Sequence, residues 1–479
     1  MTSFFIDQHG CAKNQTDGEL MASFLEKAGY TQVFDAEKAD FIFINSCGFI
    51  NSAKKESIDA VCAASSNYPD SKIILTGCLA QRYADELFNS MPELSGVFGN
   101  GDISKIADFM KRLEAEKRCV ALYPQEGVCT GSRNLLFNYK ASAFVKITEG
   151  CSNHCSFCAI PLIRGEVRSR PAQDIVDEIQ GLVNAGVYEI NLIGQDLAAY
   201  GTCRSDVLNP ENFQKSPSPL KILLEKISEL QGNFIVRLLY IHPDHFNKDI
   251  LEVFKKDRRF VHYFDIPFQS GDDEIIKKMN RCGSQQHYLE MIENIRKELG
   301  ECMIRTTFLT GFPGETDENA ENTKKFLELL QPDWSGCFPY SREEDTPAYN
   351  LKNRVSEKIA KKRAAELEKI QDEITQKKLN AFVGRQLNVI IEEIIDSDEN
   401  SQDDAEGLAI GRGWFQAPEV DGCIVIRYDS DSKLERDAIK TGNVVKVQIL
   451  AVTGVDLDSR FVSLEKEYKD NGKLGFLYK

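Results

Sequence analysis

A basic surplus and long apolar runs are both missing from this sequence. Its first residues, Met1-Thr2-Ser3-Phe4-Phe5-Ile6-Asp7-Gln8-His9, hold no basic stretch followed by an apolar one. Apolar runs elsewhere stay far below the roughly 20 residues of a membrane helix, so neither export nor a membrane span is expected, and the cytoplasm is the predicted location. Lys and Arg number 58 against 74 Asp and Glu, a formal net charge of −16. Such a chain has no general attraction for a phosphate backbone, and tRNA is not expected as a partner without a local basic patch. No 20–50-residue repeat is present, and the one low-complexity stretch, residues 396–406, reads as a solvated acidic loop.

What the sequence does have is cysteine. Fourteen in a chain of 479 residues would suggest disulfides in an oxidising compartment, but without an export signal reduced thiolates acting as metal ligands become the leading reading. Cys62, Cys203 and Cys302 fall outside any ligand-like spacing and read as ordinary thiols.

The length predicts two or three domains. Through about residue 135, short apolar strands at 4–7, 41–45 and 72–76 alternate with helical stretches at 17–28, 53–64 and 80–89, the pattern of a parallel α/β layer. A larger strand–helix unit then recurs, with strands expected at 143–148, 189–193, 234–241, 261–266, 303–309 and 334–340. Six such units with right-handed crossovers make a partial (β/α)6 barrel. Residues 356–382 read as one long helix, and beyond 383 short alternating strands with Gly turns predict a small β-barrel of the oligonucleotide-binding sort.

Cys151-Ser-Asn-His-Cys155-Ser-Phe-Cys158 lies on the loop after the first barrel strand. Three thiolates at this spacing can hold three irons of a [4Fe–4S] cube and leave the fourth open, where the amino and carboxylate groups of S-adenosylmethionine (SAM) can chelate. One electron then cleaves the sulfonium to a radical that removes hydrogen from unreactive carbons. The alternative is a structural zinc, which needs a fourth ligand at a matching distance, and His154 within the tight loop is badly placed to supply it. A second trio is dispersed: Cys11, Cys47 and Cys78 each follow a strand of the N-terminal layer. Carboxyl ends of parallel strands share one edge, so these thiols are expected to converge on a second [4Fe–4S] cluster with one free iron. Single buried cysteines are common in α/β cores, and that is the alternative for each taken alone.

Together these residues resemble the methylthiotransferase family of radical SAM enzymes, and its RimO type more closely than its tRNA-modifying MiaB type. The likeness is carried by Gly10-Cys11-Ala12-Lys13-Asn14, by Asn45-Ser46-Cys47-Gly48-Phe49-Ile50-Asn51-Ser52-Ala53-Lys54, by Tyr340-Ser341-Arg342-Glu343-Glu344-Asp345-Thr346-Pro347-Ala348 and by Ala417-Pro418-Glu419-Val420-Asp421-Gly422. Ala12 departs from it, standing where Pro is frequent in the RimO type. The resemblance covers nearly the whole chain. It implies an α/β multidomain protein: an N-terminal three-Cys domain (1–135), a radical SAM partial barrel with linker helix (136–380), an OB-like TRAM β-barrel (381–450) and a C-terminal tail (451–479). It also implies two [4Fe–4S] clusters, two equivalents of SAM, and conversion of an aspartate of small-subunit ribosomal protein S-twelve to 3-methylthioaspartate, with an external electron donor and a sulfur donor as partners. The alternative is methylthiolation of N6-isopentenyladenosine in tRNA.

Further candidates sit at carboxyl ends of barrel strands, where active-site groups of such barrels gather. Gln195 and Asp196 end the second strand, Gln269 and Ser270 follow the fourth, and Arg305 and Thr307 belong to the fifth. With Phe157 in the cluster loop these are the expected SAM contacts, Arg305 balancing a carboxylate; turn chemistry or a solvated arginine is the competing explanation. Arg164, Arg168 and Arg170 are placed either to orient an anionic substrate or to cap the next helix. Trp414 and Phe415 are expected to fill the small barrel's core rather than stack on a base.

Overall fold

A computed structural model describes residues 2–207, 210–395, 406–469, 472 and 474–476, so the acidic stretch at 396–405 lies outside the described residues. The N-terminal sheet is parallel throughout, in the order Thr31–Gln32, Ser3–Gln8, Phe41–Ser46, Lys72–Thr76, Leu94–Phe98, Cys119–Ala121. Phe41–Ser46 is buried at every position, as expected of a central strand with helices on both faces, and this is why it reads as an unbroken apolar run.

The helix that follows the first strand spans Ala12–Lys27 and starts earlier than its apolar pattern suggests. Asn14, Gln15, Asp17 and Glu19 along it are buried, because this helix lies between its own sheet and the barrel. Its acids are answered from the other side: Asp17 pairs with Lys146 and Arg164, and Glu19 with Arg133.

Six parallel strands in sequence order, Ser142–Lys146, Glu189–Ile193, Ile235–Leu238, Phe260–Asp265, Met303–Thr310 and Trp334–Pro339, form the open barrel. The helix Glu357–Leu379 packs along the last of them and leads into the C-terminal domain. That domain is a closed five-stranded barrel of Gln386–Ile395, Glu406–Gly413, Ile424–Asp429, Asp456–Lys466 and Val444–Thr453. It does not end at 450 as expected from sequence. Asp456–Lys466 closes it, with Leu457, Ser459 and Phe461 alternating inward, so the segment assigned to a tail supplies a barrel strand.

The small barrel plugs the open one from below. Phe144, Ile193, Tyr263, Met303 and Trp334 of the large barrel share one core with Phe382, Phe415 and Ile424. Phe415 is fully buried and stacks on Phe382 at 4.3 Å, so it serves the core as expected. Charged groups close the same junction: Glu189 accepts from Arg237 and from Arg412, and Arg305 pairs with Asp421.

Candidate functional site

Strand topology assembles the N-terminal trio. The strands Ser3–Gln8, Phe41–Ser46 and Lys72–Thr76 are direct neighbours, and Cys11, Cys47 and Cys78 emerge from the same edge. Gly48 permits the approach, since a Cβ there would lie 2.7 Å from the Cys78 carbonyl oxygen. The barrel trio lies beyond the first barrel strand on a loop opened by Gly150, whose φ is +74° and whose added Cβ would meet the Glu166 oxygen at 2.1 Å.

All six cysteines line one cavity of about 470 Å³, within the usual range of ligand pockets. Every cysteine among the described residues is a free thiol. Burial pushes the thiols of Cys47 and Cys158 up to about 12 and raises those of Cys78, Cys151 and Cys155. Unliganded, these groups are protonated and inert; metal coordination is what makes buried thiolates. Among the described residues no three His, Cys, Asp or Glu side chains converge tightly enough for a single metal ion. A zinc needs that convergence, whereas a cube spreads three thiolates over three irons. Each trio offers three sulfur donors, the number that a cube with one open iron takes.

Of the expected SAM contacts, Phe157, Gln195, Gln269 and Thr307 line the cavity. Gln195 donates to Glu149 at 3.1 Å and leaves its Oε1 buried without a partner, an acceptor open to a cofactor. The other three stand back from the cavity. Asp196 is buried against His245 at 2.6 Å and accepts from Asn153 at 3.0 Å, which fixes the cluster loop from behind. The Ser270 hydroxyl lies against Thr323 and accepts the Asp272 N–H. Arg305, expected on the SAM carboxylate, is spent on Asp421 of the small barrel.

Among the three arginines after the cluster loop, Arg164 alone lines the cavity. It is buried, pairs with Asp17 and Glu149, and donates to Asn14 Oδ1 at 2.5 Å and to the Cys78 sulfur at 3.2 Å. Arg168 donates to backbone carbonyls, and Arg170 binds Glu178 and the Lys146 carbonyl.

The cavity also holds residues that motif reading passes over. Tyr240 and His242 follow the third barrel strand, the same carboxyl-end signal that marks Gln195 and Gln269. His242 Nε2 lies 3.7 Å from the Cys155 sulfur, and burial lowers the imidazole to about 3, so it is neutral. Arg281 donates to the Pro267 carbonyl and to Cys155. Lys13 is buried with its Nζ 2.9 Å from the Tyr240 ring centroid, burial drawing its pKa down to about 8.

Three family profiles match in succession: the uncharacterized protein family UPF0004 over residues 3–99, the radical SAM superfamily over 145–327 and the TRAM domain over 383–462. The ribosomal protein uS12 methylthiotransferase RimO of Treponema denticola is 49% identical, over 95% of this chain and 99% of that protein. The chain belongs to the RimO family. RimO of Thermoanaerobacter sp. is 39% identical over 94% of this chain and 97% of its own, and RimO of Thermotoga maritima 37% over 87% and 92%. A radical SAM methyltransferase, TsrM of Kitasatospora setae, shares the fold at a TM-score of 0.52 and 14% identity, covering 73% of this chain and 75% of its own. As a RimO-family radical SAM transferase, the protein takes SAM and a [4Fe–4S] cluster. Among the described residues of this RimO-family chain no helix is long and apolar enough to cross a membrane.

Proposed function

We propose that this protein adds a methylthio group to the β-carbon of an aspartate of small-subunit ribosomal protein uS12, using one [4Fe–4S] cluster on each cysteine trio. The observation that carries this reading is that both trios open into one cavity, so a carbon activated on one side is within reach of sulfur held on the other. When bound, SAM and the two clusters supply the carbon radical and the methylated sulfur.

The chain's own groups set the stage. Cys11, Cys47 and Cys78 line the same cavity as Cys151, Cys155 and Cys158, each trio able to grip a cube by three corners. Arg164 ties the barrel's cluster loop to Cys78 and to the helix Ala12–Lys27, fixing the separation of the trios. Phe49, Phe157, Ile160, Ile163 and Phe338 give the walls an apolar lining that excludes water from a reactive radical. Gln195 Oε1 is the open acceptor for the SAM amino or hydroxyl groups. An electron donor and a sulfur donor are external partners, and the ribosomal substrate puts the reaction in the cytoplasm.

Mass spectrometry of uS12 and of tRNA from a deletion strain tests the reading. Loss of the methylthio mark from uS12 is expected, and loss from tRNA alone overturns it.

A further inference from the structure

Three cations line the cavity between the trios: Lys13, Arg164 and Arg281. Arg164 is committed to Asp17, Glu149, Asn14 and Cys78. Arg281 is committed to the Pro267 and Phe268 carbonyls and to Cys155. Lys13 is different. The residue is 8% exposed, and among the described residues its side chain forms neither an ion pair nor a hydrogen bond, its ammonium lying over the Tyr240 ring. Cys11, Asp265 and Glu149 bear on it through space, but none pairs with it: Asp265 accepts the Tyr240 N–H and Glu149 pairs with Lys146 and Arg164.

A buried ammonium that makes no ion pair is costly, and a cavity that keeps one is poised for an anionic ligand. The uS12 substrate brings that anion to this place. An aspartate β-carbon is bonded to its carboxylate carbon, so when the β-carbon sits between the trios its carboxylate must lie inside the same cavity. We propose that Lys13, set on the Tyr240 ring, is the specificity-determining residue that receives the carboxylate of the substrate aspartate. This rests on the function proposed above. The ammonium donates to a carboxylate oxygen while the ring keeps the Nζ from folding back toward the cysteine loop, and no bond is made or broken at Lys13. A neutral side chain of the same shape would leave the ammonium unpaired and be rejected.

The test uses anaerobically reconstituted full-length protein, with uS12 as the binding probe in two forms, one carrying the target aspartate and one asparagine in its place. Equilibrium binding is measured for wild type, Lys13→Met and Lys13→Arg, with bound iron and reductive SAM cleavage read on the same samples. Lys13→Met is expected to weaken the aspartate form roughly 30-fold, the loss that follows when one partner of a desolvated charge pair is removed. The asparagine form should stay within about twofold, so the two changes are non-additive, and Lys13→Arg should recover much of the loss. Equal weakening of both forms, or a fall in bound iron in Lys13→Met, overturns the proposal. Wild-type protein unable to methylthiolate the aspartate form would overturn the proposed function instead, so the two failures are read separately.

Discussion

The Arg164 guanidinium donates to the Cys78 sulfur at 3.2 Å, so a residue of the barrel's cluster loop holds the last cysteine of the N-terminal trio. A donor and a positive charge beside a cluster thiolate favour the reduced, more negative state. Arg164→Met should therefore move the potential of the N-terminal cluster negative, by about 60 mV if about 1.4 kcal/mol of interaction is lost in a one-electron couple. An EPR-monitored redox titration of protein lacking the barrel trio reads this directly. A positive shift would mean that Arg164 acts on the cluster chiefly through the position of Cys78.

Two cubes predict about eight irons per reconstituted chain. Replacing Cys11, Cys47 and Cys78 together by Ala should leave about four and preserve reductive SAM cleavage, while replacing Cys151, Cys155 and Cys158 should leave about four and abolish it. Iron and sulfide analysis with 5′-deoxyadenosine quantitation separates these outcomes. Cys62→Ala and Cys203→Ala, both exposed and away from the cavity, should change neither.

The dispersed trio is legible in sequence because parallel strands deliver their carboxyl ends to one edge, so three apolar runs each followed by a cysteine are enough to place Cys11, Cys47 and Cys78 together. Arg305 marks the limit of that reasoning. Arg305 and Thr307 share a face of the strand Met303–Thr310, and their sequence parity is the same. A rise of about 3.3 Å per residue sets Arg305 one layer deeper, where the plugging barrel brings Asp421 to meet it. Depth is decided by a domain that follows much later in the chain, and strand periodicity carries no trace of it. The early turns of Ala12–Lys27 were hidden for a related reason: a buried polar helix face looks like a loop until Lys146, Arg133 and Arg164 are known to stand opposite.

Phe415 carries much of the contact between the two barrels. Its ring is fully buried on Phe382, and its carbonyl accepts the Trp334 indole N–H at 3.0 Å. Phe415→Ala removes a large side chain from a closed core and should cost about 3–5 kcal/mol. The sequence has two tryptophans, and Trp334 and Trp414 both belong to this junction. Intrinsic fluorescence in urea therefore reports separation of the barrels, and the variant should show a lower midpoint with a red-shifted baseline. An unchanged midpoint would assign the contact to the charged pairs around it.

Those charged pairs give the junction its response to acid. Burial alone would raise the Glu189 carboxyl, but the guanidiniums of Arg412 and Arg237 more than reverse this and hold it well below its ordinary value of 4.5. A carboxyl depressed in the folded state adds stability that is fully present above its unfolded pKa and is lost as pH falls through the folded one. The Glu189 contribution should therefore be constant from pH 7.5 to about 5 and decline below about 4.5. Glu189→Gln leaves Arg237 and Arg412 buried beside a neutral amide, a loss of about 3–5 kcal/mol at neutral pH. Urea midpoints followed by tryptophan fluorescence should show a gap between wild type and variant that holds steady to about pH 5 and narrows only in stronger acid. A gap that already closes between pH 7 and 6 would place the titrating group on a histidine and remove Glu189 from the account of how the junction is held.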